Sequence, residues 1–307
     1  MFDGTAWQLS GCWFVAGLGV PIKSGHSLQF RMNIENQSNA PNPGGPNGLC
    51  SYLKRAFPNP GNLRVWSYSA FVRQPAVNIT NQKSNAWDVN FTGQGEECWI
   101  SAGNSGTGGA WAGATWSKYI DTMTVAEFWN NPTTPVGGLI PVWAPSGGGT
   151  AVGTWLRGVL MDSQWHHLLW ASDGTTMTVF IDGVPVAQGS APAGAGVFNS
   201  AVPHFIGSNS DPPIYGSTIR MAEIQFIDGQ FLDWTHFCTV IAGSVVPKKY
   251  TGLYGPNGFY LNWSKGDAVT STTLGSDQSG NGNDFTPVNF KVTDVLTDFP
   301  GNAAPLT

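Results

Sequence analysis

Residues 164–188, QWHHLLWASDGTTMTVFIDGVPVAQ, decide the fold. Two Asp-Gly pairs, Asp173-Gly174 and Asp182-Gly183, interrupt three β-rich runs at 165–171, 176–181 and 184–188. Asp-Gly between such runs is the strongest short hairpin signal, because both central positions of the tight turn favour φ > 0. The alternation has period 2, so Met177, Val179 and Ile181 share one face while Thr178 and Phe180 take the other. The stretch is expected to be a three-stranded antiparallel meander.

Composition sets the frame around it. At 307 residues the chain can be one large β domain, and with 40 Gly and 21 Pro it is rich in loops. Charged residues make up 11%, well below the roughly 25% of average proteins. A net charge of −5, with no basic stripe, argues against nucleic acid as a partner. The apolar run 12–22 is short and Gly-rich and follows Asp3, so it is read as neither a signal peptide nor a membrane span. Cys12, Cys50, Cys98 and Cys238 are far apart and form no CxxC pair, and are expected to be buried free thiols of a protein made in a reducing cytoplasm.

Along the chain, 1–25 is expected to be an irregular lead-in, 26–245 the sandwich, and 246–307 a C-terminal segment packed back on it. A first strand is expected at 27–33, with Leu28, Phe30 and Met32 on one face. A stronger one at 65–72 is expected to pair with 87–91 and 98–101. Thr124 and Glu127 have capping-box spacing for a short helix that ends before Pro132, and Asp233 can cap another through Phe237.

Several motifs resemble known families. The "WHH, strand, DG, strand" pattern of the opening stretch, HFIGS at 204–208 and IRMAEIQFIDGQF at 219–231 resemble laminin-G and concanavalin A-like sandwich domains. More narrowly, SLQFR at 27–31, YLKR at 52–55, RVWSYSAFVR at 64–73 and PKKYTGLYGPNGFYL at 247–261 resemble a group of phage virion proteins that carry this sandwich. The resemblance implies an all-β, two-sheet antiparallel jelly-roll sandwich, and it carries over no catalytic residue. GFYLNWS at 258–264 and DQSGNGND at 277–284 are similar to the opening strand and loop of bacterial laminin-G-like domains, displaced here to the end of the chain. A piece of about 60 residues buries too little surface to stand alone comfortably. Two readings compete, a permuted strand that completes the single sandwich and a second domain cut down to its first part, and the former is expected.

Asp277, Ser279 and Asn281, followed by Gly282, present oxygens at the alternate positions of a calcium loop, and Asn283, Asp284 or remote groups could complete it. The twelfth position is Val288, so the bidentate Glu of an EF-hand is missing. The competing reading is a cluster of Asx turns whose side chains bond their own backbone. Asn209 and Asp211 follow the HFIGS strand, at a rim where lectin-like domains place ligands. Trp111 and Trp116 lie in a loop-rich region where an indole could stack on a sugar. Against these stand an ordinary loop before Pro212 and indoles packed in a core.

An enzyme of the glucanase type would need paired carboxylates about 5 to 5.5 Å apart for a retaining mechanism. Glu223 shares its strand face with Gln225 and Ile227, Asp228 falls in an Asp-Gly turn, and His166 and His167 point to opposite faces, so no acid pair or triad forms. The expected function is that of a non-enzymatic spike, fibre or decoration subunit on the surface of a phage virion. It is expected to bind other virion proteins as a homo-oligomer, a trimer, and to reach a host surface glycan through rim loops, with no membrane partner. A calcium-assisted lectin is the alternative, and a glycan-degrading enzyme stands third.

Overall fold

The computed structural model describes residues 21–22, 25–31, 50–73, 96–102, 112–118, 138–143, 150–151, 164–190, 198–208 and 219–300. In chain order the strands are β1 Ser27–Gln29, β2 Tyr52–Ala56, β3 Val65–Arg73, β4 Glu96–Ala102, β5 Ala112–Lys118, β6 Gly138–Trp143, β7 Thr150–Ala151, β8 Trp165–Asp173 and β9 Thr176–Ile181, then β10 Val184–Ser190, β11 Pro203–Ile206, β12 Arg220–Asp228, β13 Cys238–Ile241, β14 Ser244–Pro247, β15 Phe259–Leu261, β16 Thr286–Val288 and β17 Val295–Leu296. Among the described residues one sheet has eight strands in the order β10-β9-β8-β3-β12-β1-β17, with β15 also on β12. The second has seven, β16-β2-β11-β4-β5-β6-β7, and β13-β14 is a separate hairpin. The pairings are antiparallel throughout, giving a two-sheet, all-β sandwich.

The core lies between the sheets. The eight-stranded sheet contributes Trp66, Tyr68, Leu168, Trp170, Val179, Met221 and Phe226 to it, and the seven-stranded sheet contributes Leu53, Ile100 and Ile206. Trp66 and Trp170 meet edge to face at 5.0 Å, a preferred arrangement for rings whose edges are positive and faces negative. As expected, Met177, Val179 and Ile181 are buried in this core, while Phe180 packs against a second cluster on the other side. That outer cluster joins Leu169, Ala171 and Ile227 to Phe237, Tyr250, Tyr254 and Tyr260. The eight-stranded sheet is thus covered on both faces, which explains why its strands read as nearly continuous apolar runs.

The meander forms as expected, with β9 paired to β8 and β10. Its second turn has Asp182 at φ 50 and Gly183 at φ 80, the twist that suits a two-residue hairpin. The first turn is centred one residue later than expected. Ser172 pairs with Met177, so Gly174-Thr175 is the central pair, and only Gly174 has positive φ, at 92. Asp173 ends β8 instead, and its Oδ1 accepts from the Thr175 and Thr176 amides. These bonds hold its carboxyl below the usual range.

Other expectations are corrected. β3 pairs with β8 and β12, not with the 98–101 run, which lies in β4 of the opposite sheet between β11 and β5. The first strand is shorter, although Phe30 beyond its end is still fully buried. The element after Asp233 is a single 3-10 turn, Trp234–His236, and Asp233 caps it as expected by accepting from the Thr235 amide. Strand 87–91, the helix near Thr124 and Met32 lie outside the described residues.

The C-terminal strands enter both sheets: β15 pairs with β12, β17 with β1, and β16 with β2. In the lead-in, Pro21 bridges to Lys248 and the Ile22 amide donates to Pro247 O.

Candidate functional site

The Asx residues singled out in the C-terminal segment meet at one end of the sandwich. The tight turn Tyr254–Gly258 is the hub. Gly255 has φ 75, and a Cβ there would sit 2.3 Å from Asp228 O, so only glycine fits. On one side of the hub Asp228, at the end of β12, is 4% exposed. Its Oδ1 accepts from the Asn62 amide and Asn199 Nδ2, and its Oδ2 accepts from the Asn257 amide. Asn257 Nδ2 in turn donates to Asn199 Oδ1 and Asn59 O. Asn199 is buried at φ 68, a left-handed conformation that Asn tolerates better than most residues.

The 277–284 loop closes the other side. Asp277 Oδ1 accepts from the Tyr260 and Ser279 amides, and Oδ2 accepts from Ser279 Oγ and the Asn283 amide. Ser279 Oγ also accepts from the Asn281 amide. Asn281 Nδ2 reaches Gly255 O and Gly258 O, and Asn283 Nδ2 reaches Pro256 O and Gly258 O. Arg55 anchors the loop from β2, donating to Asn283 Oδ1 and Asp284 O at 2.7 Å each. Burial lowers the pKa of this guanidinium, while Asp277 and Asp284 act in the opposite direction.

The four residues weighed as calcium ligands, Asp277, Ser279, Asn281 and Asn283, are therefore brought together. Both Asp277 oxygens and the Ser279 hydroxyl are engaged by the loop's own donors, which is the geometry of an Asx-turn cluster. Among the described residues no group of three or more His, Cys, Asp or Glu is placed to hold a metal ion. Trp116 lies in β5, opposite Cys98 and Ile140. Asn209, Asp211 and Trp111 lie outside the described residues.

The remaining polar groups of interest are interior ones. His167 is fully buried on the outer face of the eight-stranded sheet, with Ser69 Oγ 2.9 Å from Nε2 and Cys238 Sγ 3.4 Å from Nδ1. Burial lowers its pKa to about 4 and raises that of the Cys238 thiol beyond the ordinary thiol range. An uncharged imidazole and an unionised thiol with no exposed surface make a packed cluster rather than a nucleophile. Cys50 is likewise buried. His166, by contrast, is tied at 2.7 Å to Asp182 in the hairpin turn. Glu223 is buried on the same outer face, beneath the Tyr260 phenol that donates to it.

The Asp228–Asn199–Asn257 knot and the Ser69–His167–Cys238 cluster were not legible as sites in the sequence. Their bonded pairs are 29 to 98 residues apart. Asp228-Gly229 carries only a turn signal.

No protein-family model matches the chain, and no curated protein does. Solved structures similar to it include a Bacteroides ovatus protein described as a candidate carbohydrate binder, at 12% identity and TM-score 0.47, covering 87% of this chain and 59% of that one. A heptameric SAP-like pentraxin from Limulus polyphemus matches at 12% identity and TM-score 0.40, over 71% of this chain and 81% of that one. Domains LG4-5 of the mouse laminin α1 chain match at 12% identity and TM-score 0.41, over 80% of this chain and 52% of theirs. The chain thus spans about 59% of the Bacteroides protein's length.

Proposed function

We propose that this protein is a non-enzymatic structural and adhesion subunit of a phage virion, a spike, fibre or decoration protein displayed on the particle surface and made in the host cytoplasm. It packs against other virion proteins, assembles as a homotrimer, and reaches a host surface glycan through its rim loops. The observation that carries the reading is the role of the PKKYTGLYGPNGFYL segment, the most specific of the motifs that resemble virion proteins. Within it Lys248 O and the Tyr250 amide bond the buried Gln225 side chain, Tyr254 and Tyr260 cover the outer face, and 255–258 form the hub of the Asx rim. The motif is thus a framework device, and the carboxylates nearest to it, Asp228 and Asp277, serve as acceptors for backbone and side-chain amides.

Cryo-electron microscopy of the particle that contains the protein, with light scattering of the purified chain, tests this. Three-fold density on the particle surface and a trimer mass are expected. A monomer that is absent from purified particles overturns the reading. Many symmetric copies on the capsid would make it a decoration or spike subunit, and a few copies at the tail tip would make adhesion the leading role.

A further inference from the structure

Glu223, in β12 of the eight-stranded sheet, is a buried carboxyl at positive φ. The β12–β3 register runs Ala222↔Phe71 and resumes at Gln225↔Ser69. Glu223 and Ile224 therefore stand opposite Ala70 alone, which is a β-bulge. The extra residue has φ 52, a left-handed conformation unfavourable for a non-glycine residue and one that persists only where its surroundings impose it. The bulge turns two consecutive side chains to the outer face. Ala222 packs with Phe71, Cys238 and Phe299, and the Glu223 carboxyl lies under Tyr260, 2% exposed.

We propose that Glu223 is a pH-operated latch: as a neutral acid it lets the 248–261 arm dock tightly on the sheet, and its ionisation loosens that arm. The groups facing it come from each element packed there. β15 supplies the Tyr260 phenol. The arm supplies Tyr254 and Lys249, whose ammonium lies 5.2 Å from the Tyr260 ring centroid. Asp277 bonds the Tyr260 amide and acts on Tyr254. β3 presents only Ser69, Ala70 and Phe71 opposite the bulge, and the neighbouring Lys248 sends its amine away to Thr235 O.

The neutral form suits this site because burial disfavours the carboxylate. Burial raises its pKa to about 7, with the Tyr260 hydrogen bond and the Lys249 charge pulling the other way. A folded-state pKa raised above the ordinary glutamate value of 4.5 contributes stability that is present below 4.5 and lost as pH rises through about 7. An ionised Glu223 keeps the Tyr260 hydrogen bond and the Lys249 charge, but gaining water requires the arm above it to lift. The latch is a property of the folded chain and does not depend on the proposed virion role.

Hydrogen exchange of the full chain between pH 5.5 and 8.5, corrected for intrinsic rates, tests this in the wild type and in Glu223→Gln, which is uncharged at every pH. Protection of peptides covering 248–261 is expected to fall about tenfold from the acid to the alkaline end in the wild type. It is expected to stay level in Glu223→Gln. Level wild-type protection over 248–261, or the same fall in Glu223→Gln, overturns the proposal. If Glu223→Gln does not fold, carbon-13 titration of the wild-type carboxyl decides: a midpoint near neutrality supports the latch, and one in the ordinary Glu range overturns it.

Discussion

Asp277 shows how one carboxylate can organise a loop that reads as a cation site. It receives three backbone amides, from Tyr260, Ser279 and Asn283, and the Ser279 hydroxyl. Removing it leaves partly buried donors without acceptors, a loss of about 1–3 kcal/mol for each group that water cannot reach. Asp277→Ala is expected to lower stability by about 2–4 kcal/mol, a figure held below the sum of three such losses because the loop is partly open to water. Thermal denaturation with calcium and with a chelator separates the two readings of the loop. The turn reading expects the wild-type midpoint to be the same in both and Asp277→Ala to be lower in both. A wild-type midpoint that rises with calcium, and an Asp277→Ala midpoint that does not, would establish the calcium site. The spacing of oxygen-bearing residues was legible in the sequence, but which donors would reach those oxygens was not. One of them, the Tyr260 amide, comes from 17 residues away.

At the level of elements, two hairpins offer a matched comparison. The β9–β10 turn is Asp182-Gly183, at φ 50 and 80, and the β13–β14 turn is Ala242-Gly243, at φ 49 and 83. Their backbones are nearly the same, but their surroundings differ. A Cβ on Gly183 would lie 2.8 Å from the Trp234 ring, whereas one on Gly243 would meet nothing within 4 Å. Gly243→Ala is expected to cost about 1 kcal/mol for the left-handed backbone alone. Gly183→Ala is expected to cost roughly 1–3 kcal/mol more, because an indole packed on the turn has to move. Urea denaturation of both variants measures the difference, and equal losses would mean that Trp234 yields freely.

The same elements show what a sequence carries. The meander was legible because its turn signals and alternation are local. The partners of β3 were not, since β8 and β12 lie about 100 and 150 residues further along and no local pattern selects them over β4. The bulge at Glu223 was hidden for a different reason. A glutamate in an alternating strand carries no mark of positive φ, and the register shift against β3 that accompanies it is a long-range feature.

For the molecule as a whole, stability should peak slightly on the acid side of neutrality, with a different cause for each limb. On the acid side the relevant groups are His167 and His204, both buried and both lowered by burial from 6.5 to about 4. His204 Nδ1 faces Val202 O, which makes it the donor, and Nε2 accepts from the Asn199 amide. A proton on Nε2 would therefore abolish the bond to Asn199 and disturb the Asp228 knot that Asn199 belongs to. Because the folded state binds fewer protons than the unfolded chain between pH 6.5 and about 4, this contribution is complete above 6.5 and is lost as pH falls through that window. Each histidine contributes on the order of 3 kcal/mol. The carboxyls of Asp173 and Asp298, held low by their hydrogen bonds and, for Asp298, by Arg73 and Arg220, act only further into acid. On the alkaline side Glu223 runs the other way. Thermal midpoints from pH 4.5 to 8.5 are expected to trace a dome. His204→Gln is expected to lower its height and flatten the acid limb, and Glu223→Gln to remove the fall toward about pH 7 and to steepen the acid limb, because the Glu223 window of 4.5 to about 7 overlaps that of the histidines. An acid limb as steep in His204→Gln as in the wild type would mean that the knot at the rim does not feel the imidazole beneath it.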